Sequence, residues 1–305
     1  MSTGNATTLA IKIDVDTARG TIKGVPPLLS IFKELDITST FLFSLGPDNT
    51  GRAIKRIFRP GFFSKVSRTS VLSVYGLRTL LYGTLLKGPH IGKKHGHIMR
   101  LAKNAGHEVG IHTYDHIYWQ DNLHKMTGPQ VRAEVTKCCA MFQEVFAMPA
   151  HTMGAAGWQA NKESLAAYDD AGFLYASDTR GTTPFFPKIK QREFKTLQIP
   201  TTLPTLDELL GRPEYPFEGL HDHYLSLIKP NQLNVLTIHT ELEGMYYLEW
   251  FKNLLIKIKD AGIHIVPMKA LALTVLKQKE KVPHCQLIQK EIEGRTGLLA
   301  CQNDL

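Results

Sequence analysis

The sequence predicts a single-domain α/β protein whose parallel strands form either a barrel or a doubly wound sheet. Strand-like and helix-like segments alternate along the whole chain, and no linker or low-complexity tract interrupts them. The 305 residues are 43% apolar and 21% charged, which is enough apolar material for one large core. We therefore predict one domain over residues 1–305, with a polar N-terminal extension at 1–8 and a C-terminal tail at 278–305.

Short apolar runs predict the strands, beginning with A-I-K-I-D-V at residues 10–15. The other predicted strands are 38–45, 108–112, 173–177, 196–200, 235–239 and 263–266. Pro26 and Pro27 open the first helix, because proline is tolerated in a first helical turn. Apolar residues at helical spacing predict the others, near 92–105 and 217–229 and over 129–146, 161–171, 246–260 and 268–277.

A basic amphipathic insertion around residues 49–88 breaks this alternation. Residues 49–107 contain twelve Lys and Arg but no Asp or Glu, so the rest of the chain carries −4 of the total +8. Basic segments with apolar and aromatic residues bind anionic membrane surfaces, which is the partner we favour here. A lid with a solvated basic face is the alternative. Nucleic acid is not expected, because no nucleic-acid motif accompanies the charge.

Other features of the chain predict a cytoplasmic protein. Its four cysteines show no CxxC spacing, which is typical of reduced thiols. The N-terminus lacks the basic and apolar regions of a signal peptide. No uninterrupted apolar segment reaches the ~18 residues of a membrane-spanning helix.

Two carboxylates at the end of the first strand predict a metal site. Asp14 and Asp16 are two residues apart, so a strand places them on one face, where they repel unless a positive charge lies between them. I-H-T-Y-D-H supplies His112 and His116, and two imidazoles with one carboxylate form a catalytic metal site that is open to water. One Asp would bind the ion while the other takes a proton from water.

Two further residues at strand ends complete the predicted chemistry. His239 ends the strand V-L-T-I-H and would protonate a leaving amine. Asp178, just after another strand, would orient that imidazole. All these residues lie at the carboxyl ends of predicted parallel strands, the edge where barrel enzymes build their sites.

The motifs together resemble the polysaccharide deacetylase family, also known as NodB-homology or carbohydrate esterase family 4. The family order is matched by D-V-D, H-T-Y-D-H, A-A-G-W, S-D-T-R-G and L-T-I-H. That family has a distorted (β/α) barrel and hydrolyses the amides of N-acylated sugars with a metal ion. The resemblance extends over nearly the whole chain to a branch that deformylates a lipid-linked aminosugar, through segments such as Q-I-P-T-T-L-P-T and T-I-H-T-E-L-E-G.

The resemblance implies a role for each residue. Asp14 is the general base and His239 the general acid, while Asp16, His112 and His116 hold a divalent ion, Zn²⁺, Mn²⁺ or Co²⁺. The family usually has an arginine in its third motif that orients the base, and A-A-G-W has none. We expect Arg180 to replace it. Trp158, Tyr114 and Glu241 are expected to contact the substrate.

The implied reaction is hydrolysis of a formamide on an undecaprenyl phosphate-linked 4-formamido-arabinose, at the cytoplasmic face of the inner membrane. The product would serve lipid A modification and resistance to cationic peptides such as polymyxin. Two alternatives remain open from the sequence. One is a deacetylase of another N-acetylated sugar or of a cell-wall glycan, and the other is a glycolipid-binding protein without catalysis.

Overall fold

The computed structural model describes residues 7–53 and 76–303. Eight strands form one curled, parallel half-barrel sheet, which confirms the predicted α/β class and the distorted barrel. A smaller sheet contains four more strands. In chain order the strands are β1 (Thr8–Val15), β2 (Thr40–Ser44), β3 (Glu108–Thr113), β4 (Thr152–Met153), β5 (Tyr175–Ala176), β6 (Phe186–Ile189), β7 (Arg192–Glu193), β8 (Leu197–Gln198), β9 (Val235–His239), β10 (His264–Val266), β11 (His284–Glu291) and β12 (Leu298–Gln302).

Helices follow most strands of the large sheet. They are α1 (Val25–Glu34), α2 (Leu77–Leu81), α3 (Ile91–Asn104), α4 (His116–Asn122), α5 (Gly128–Phe146), α6 (Lys162–Ala171), α7 (Leu206–Leu209), α8 (Leu220–Leu227), α9 (Leu248–Asp260) and α10 (Met268–Leu276). Short π-helical turns at Gly20–Gly24 and Leu242–Tyr246 come after β1 and β9. These two turns face each other beside the carboxyl ends of the strands.

The strand β1 is an interior strand of the large sheet and is buried on both faces. It pairs with β2 on one side and with β9 on the other, while its first residues pair with β10. Leu9, Ile11 and Ile13 point into the main apolar core. Lys12 and Asp14 therefore point to the opposite face, because side chains alternate along a strand. The order along the rest of the sheet is β2, β3, β4, β5 and β8.

The segment expected to be a C-terminal tail contains β11 and β12. These two strands pair antiparallel, and β11 also pairs with β6 to make the smaller sheet. The backbone N–H of Arg180 donates to Ala300, and that of Gln302 donates to the Arg180 carbonyl. Trp158 packs against Leu299 and Cys301 in the same layer. The smaller sheet thus supports one wall of the strand-end region.

The predicted basic insertion falls mostly on residues 54–75, which lie outside the described residues. Its two described ends are held together, since Gly51 N–H donates to the Tyr82 carbonyl over 2.9 Å. Beside this contact Leu77 and Leu85 are 67% and 82% exposed. Within the described part of the chain, no helix is both long and apolar enough to cross a membrane.

Candidate active site

Three side chains converge at the carboxyl ends of β1 and β3. Asp16 follows β1, His112 lies near the end of β3, and His116 is the first residue of α4. The Oδ1 atom of Asp16 lies 3.1 Å from His112 Nε2 and 3.6 Å from His116 Nε2. One ligand atom from each residue lies within 4.8 Å of the others, which is close enough for all three to share an ion.

The donor set of this cluster fits a divalent ion. His112 Nδ1 donates to the Gly154 carbonyl over 2.6 Å, which leaves the lone pair of Nε2 facing Asp16. Asp16 Oδ1 is buried and has no hydrogen-bond partner among the described residues. Burial opposes ionisation of Asp16, but the nearby His116 and His112 imidazoles outweigh it and lower the pKa of this carboxyl. The cluster therefore favours positive charge at its centre.

Neighbouring polar contacts fix the backbone around His116. The side chain of Asp115 caps α4 by accepting from Tyr118 N–H over 2.9 Å. The other oxygen of Asp115 accepts from Asn49 Nδ2 over 2.6 Å. Because both carboxylate oxygens are occupied, Asp115 positions the first turn of α4, and with it His116, rather than binding the ion.

Asp14 lies beside the three ligands but makes different contacts. It is 3% exposed, and its Oδ2 lies 3.6 Å from the Lys12 ammonium. Its Oδ1 lies 3.6 Å from His112 Nδ1 and has no hydrogen-bond partner among the described residues. One oxygen of Asp14 thus faces a cation, while the other remains available to accept a proton.

His239 lies directly across from Asp14. The two residues are register partners on the adjacent parallel strands β9 and β1. The backbone N–H of His239 donates to Glu243 over 2.9 Å, and burial raises the pKa of the Glu243 carboxyl to about 8. His239 Nδ1 is buried without a partner in the described parts of the chain, and its ring lies edge-on to Trp158 at 6.5 Å.

Comparison with known proteins assigns this arrangement to a family. Residues 6–176 match the family model described as polysaccharide deacetylase. The chain belongs to the polysaccharide deacetylase family. It is accordingly an amide-hydrolysing enzyme, as its motifs predicted.

Relatives of this enzyme resemble it over almost the entire chain. A protein of Shewanella sediminis, named as a probable 4-deoxy-4-formamido-L-arabinose-phosphoundecaprenol deformylase ArnD, is 40% identical over 99% of this chain and 97% of its own. A protein of Wigglesworthia glossinidia brevipalpis with the same name is 34% identical over 94% of this chain and 99% of its own.

A solved structure of a polysaccharide deacetylase-type protein from Mycobacterium smegmatis has the same fold as this enzyme. It has a TM-score of 0.65 and 18% identity, and the match covers 96% of this chain and 98% of the other. At that identity the similarity supports the fold alone.

Asp178 does not contact His239, contrary to the sequence prediction. Its carboxylate accepts from Ala155 N–H and, over 3.2 Å, from Gln198 Nε2. Burial raises the pKa of Asp178 to about 6, although both donors oppose the rise. The reason is its position in the sheet, because Asp178 follows β5, which lies between β4 and β8 rather than beside β9.

Arg180 likewise does not reach Asp14, so the expected replacement of the family arginine is not seen. Its guanidinium forms an ion pair with Glu208 at 2.6 Å and donates to the carbonyls of Thr201 and Leu203. It also lies 5.4 Å from the centre of the Trp158 ring. The side chain is directed toward α7 because the backbone of Arg180 is bridged to Thr201 and Cys301.

Two of the three residues expected to contact substrate lie behind the site. Trp158 is 2% exposed and donates its indole N–H to Thr201. Glu241 is fully buried and accepts from both the backbone N–H and the hydroxyl of Thr17. Glu241 therefore holds the chain that follows Asp16, and a Cβ atom at Gly20 would collide with it.

Tyr114 is the expected substrate contact that keeps partial exposure. Its hydroxyl lies 3.0 Å from His90 Nε2, and the Lys137 ammonium lies 5.9 Å from its ring centre. Tyr114 follows β3 and precedes His116, so its ring lies at the rim of the strand-end region. It remains a candidate for substrate contact.

Sequence reasoning missed two buried charged residues of the site. Lys12 contacts Asp14, and Asp48 accepts from the Ala18 N–H over 2.9 Å and so anchors the chain after Asp16. A signal for Lys12 was available, because it precedes Asp14 by two residues and shares its face of β1. No comparable signal pointed to Asp48, whose contact depends on how the loop after β2 folds back.

Proposed function

We propose that this enzyme is a metal-dependent deformylase acting on 4-deoxy-4-formamido-L-arabinose carried on undecaprenyl phosphate. The observation that carries the proposal is the convergence of Asp16, His112 and His116 beside Asp14 and His239. It occurs in a chain that is 40% identical to a relative named for that reaction. An amide hydrolase needs both a polarised carbonyl and a protonated leaving group, and this arrangement offers residues for each.

Asp16, His112 and His116 are the proposed metal ligands. A divalent ion bound there would lower the pKa of a nearby water and polarise the formamide carbonyl. The hydrogen bond from His112 Nδ1 to the Gly154 carbonyl orients the ring so that Nε2 faces Asp16, where it would bind the ion. Zn²⁺, Mn²⁺ and Co²⁺ all accept such a set of two imidazoles and one carboxylate.

Asp14 and His239 are the proposed proton carriers. Asp14 Oδ1 takes a proton from the attacking water, whose oxygen forms a bond to the formyl carbon. The carbon–nitrogen bond then breaks, and His239 gives a proton to the departing 4-amino group. The products are formate and the 4-amino sugar on its lipid carrier, which would serve lipid A modification and resistance to cationic peptides such as polymyxin.

The lipid carrier implies contact with a membrane surface. Leu77 and Leu85 are largely exposed, and they lie within the cation-rich segment 49–88. Apolar and cationic side chains together favour an anionic bilayer surface. We therefore propose that the enzyme binds peripherally at the cytoplasmic face of the inner membrane, where it would meet its substrate.

A formate-release assay tests the proposal. The lipid-linked formamido sugar is presented in vesicles with and without anionic lipid, to enzyme that is metal-stripped or reloaded with Zn²⁺, Mn²⁺ or Co²⁺. We expect release only from reloaded enzyme, faster on anionic vesicles, and reduced by about 10²–10⁴-fold in His239→Ala. Lys252→Met, which removes a surface ion pair with Glu34, is the matched control and should retain wild-type turnover.

Two results would contradict this function. Faster hydrolysis of the corresponding N-acetyl sugar would favour a deacetylase. Binding of the glycolipid with no formate released by any metal form would favour a non-catalytic glycolipid-binding protein.

A further inference from the structure

Lys12 is a buried charge that the proposed reaction leaves without a role. It lies in the middle of β1 and is 1% exposed. Buried lysines are rare and costly unless their charge is compensated, so a lysine at the centre of a parallel sheet needs a reason. An apolar side chain would otherwise be expected there, as at the fully buried Ala10, two residues earlier on the same face of the strand.

Three separate elements fix the Lys12 ammonium. It donates to the Ser177 carbonyl over 3.1 Å and lies 5.3 Å from the centre of the Trp158 ring. It also lies 3.6 Å from Asp14 Oδ2. Burial lowers the pKa of Lys12, while the Asp14 and Asp178 carboxylates act in the opposite direction. The ammonium therefore has a defined position on one side of Asp14.

The contacts of Asp14 make this position relevant to its chemistry. Oδ2 faces Lys12, whereas Oδ1 faces the metal ligands and has no hydrogen-bond partner among the described residues. A carboxylate that is held by one oxygen presents the other in a fixed direction. Arg180, the other buried cation near Trp158, is already engaged by Glu208 and does not contact Asp14.

We propose that Lys12 is the positioning residue for Asp14, supplying from β1 the cationic partner of the base that A-A-G-W lacks. The proposal rests on the proposed function, since it requires Asp14 to act as the base. Lys12 itself touches neither the attacking water nor the sugar. Lys12 acts through the Asp14 carboxylate. Replacing Lys12 should therefore have no further effect on kcat when Asp14 cannot act as the base.

A double-mutant cycle tests the proposal on the metal-loaded full chain. Lys12→Met is made in the wild type and in Asp14→Asn, and formate release is measured for all four proteins. In the wild-type background we expect Lys12→Met to lower kcat by about 10–100-fold, the range for a residue that orients a functional group, with KM changed by less than about threefold. In the Asp14→Asn background the same substitution should change kcat by less than about threefold.

Two further measurements separate positioning from a general structural role. Lys12→Arg keeps the charge and should recover most of the loss in kcat. The rise in Tm on adding Zn²⁺ should be the same in Lys12→Met as in the wild type, because the three metal ligands are intact. If Lys12→Met does not fold, Lys12→Gln replaces it, since an amide can still donate to the Ser177 carbonyl without carrying charge.

The results that would overturn the role of Lys12 differ from those that would contradict the proposed deformylase function. Equal losses in both backgrounds, or no loss in the wild-type background, would overturn the role of Lys12 while leaving the deformylase in place. Loss of the Zn²⁺-dependent rise in Tm would overturn it as well, because Lys12 would then act on the metal site. An inactive wild-type protein would instead contradict the proposed function.

Discussion

The strand β3 has a buried carboxyl environment at each end, and the two ends differ in how their oxygens are used. At its start, Glu108 accepts from the hydroxyls of Thr40 and Tyr175 and from the backbone N–H of Lys269. At its other end, near His112, the Oδ1 atoms of Asp14 and Asp16 are buried without hydrogen-bond partners in the described parts of the chain.

The difference distinguishes a carboxylate that stabilises the fold from carboxylates that are open to a ligand. Buried polar atoms normally find partners, and leaving one unpaired costs about 1–3 kcal/mol. Glu108 follows that rule and joins β2, β3 and β5 to the start of α10. The carboxylates beside His112 depart from the rule, and under the proposed function their partners are a metal ion and the attacking water.

The largest effect is expected at the metal end. Asp16→Asn should lower formate release by about 10³-fold or more, because several kcal/mol of transition-state charge stabilisation depend on the ion. In metal-free protein the same substitution should lower the free energy of unfolding by no more than about 1 kcal/mol, since it removes a buried charge together with its contacts to the His112 and His116 imidazoles. Urea unfolding in EDTA measures this, and a marked destabilisation would show that Asp16 is structural, like Glu108.

An intermediate effect is expected at the opposite end of the strand. Glu108→Ala leaves three donors without their acceptor and should lower the free energy of unfolding by about 2–4 kcal/mol. Glu108→Gln, which keeps an acceptor oxygen, is the matched control and should cost less than about 1 kcal/mol. Both variants should retain the wild-type kcat/KM at temperatures where they are folded. A loss of turnover in these folded variants would show that Glu108 also contributes to the reaction, and the two ends of β3 would then not differ in role.

The smallest effect concerns His107, next to Glu108. Burial against Phe32 and Phe41 lowers the pKa of His107 to about 4, well below the ordinary ~6.5 of an unfolded chain. Between these values the unfolded chain binds a proton that the folded chain does not, so stability falls as pH drops from about 6.5 to 4. Within this window, His107→Gln should reduce the slope of unfolding free energy against pH by up to about 1.4 kcal/mol per unit.

Urea unfolding at pH 7, 6 and 5 measures that slope for the wild type and for His107→Gln. His264→Gln, at an exposed histidine, is the matched control. Equal slopes for His107→Gln and the wild type would mean that His107 takes up its proton without unfolding.

Residues whose positions depend on local periodicity could be predicted from the sequence. The spacing of Asp14 and Asp16 and the strand-end positions of His112 and His239 place them at one edge of any parallel sheet. The structure brings these residues together, with His116 added by the turn into α4. The same periodicity places Lys12 on the face of β1 that carries Asp14.

Residues whose contacts depend on the curl of the sheet could not be predicted. Asp178 and Arg180 also lie after a strand, but β5 lies between β4 and β8, so their side chains meet Gln198 and Glu208. The smaller sheet formed by β6, β7, β11 and β12 was missed as well. β6 and β11 pair although they are about a hundred residues apart in the chain, and no local sequence pattern indicates such a pairing.

The register between Asp14 and His239 has a consequence for how such an enzyme diverges. The separation of the two backbones is that of adjacent strands, about 4.8 Å, and is maintained by main-chain hydrogen bonds that every sequence can make. Loops around the site can therefore change in length and composition, and with them the sugar or lipid that is accepted, without moving the two proposed proton carriers apart. New specificity can arise on this scaffold while the reaction itself is inherited unchanged.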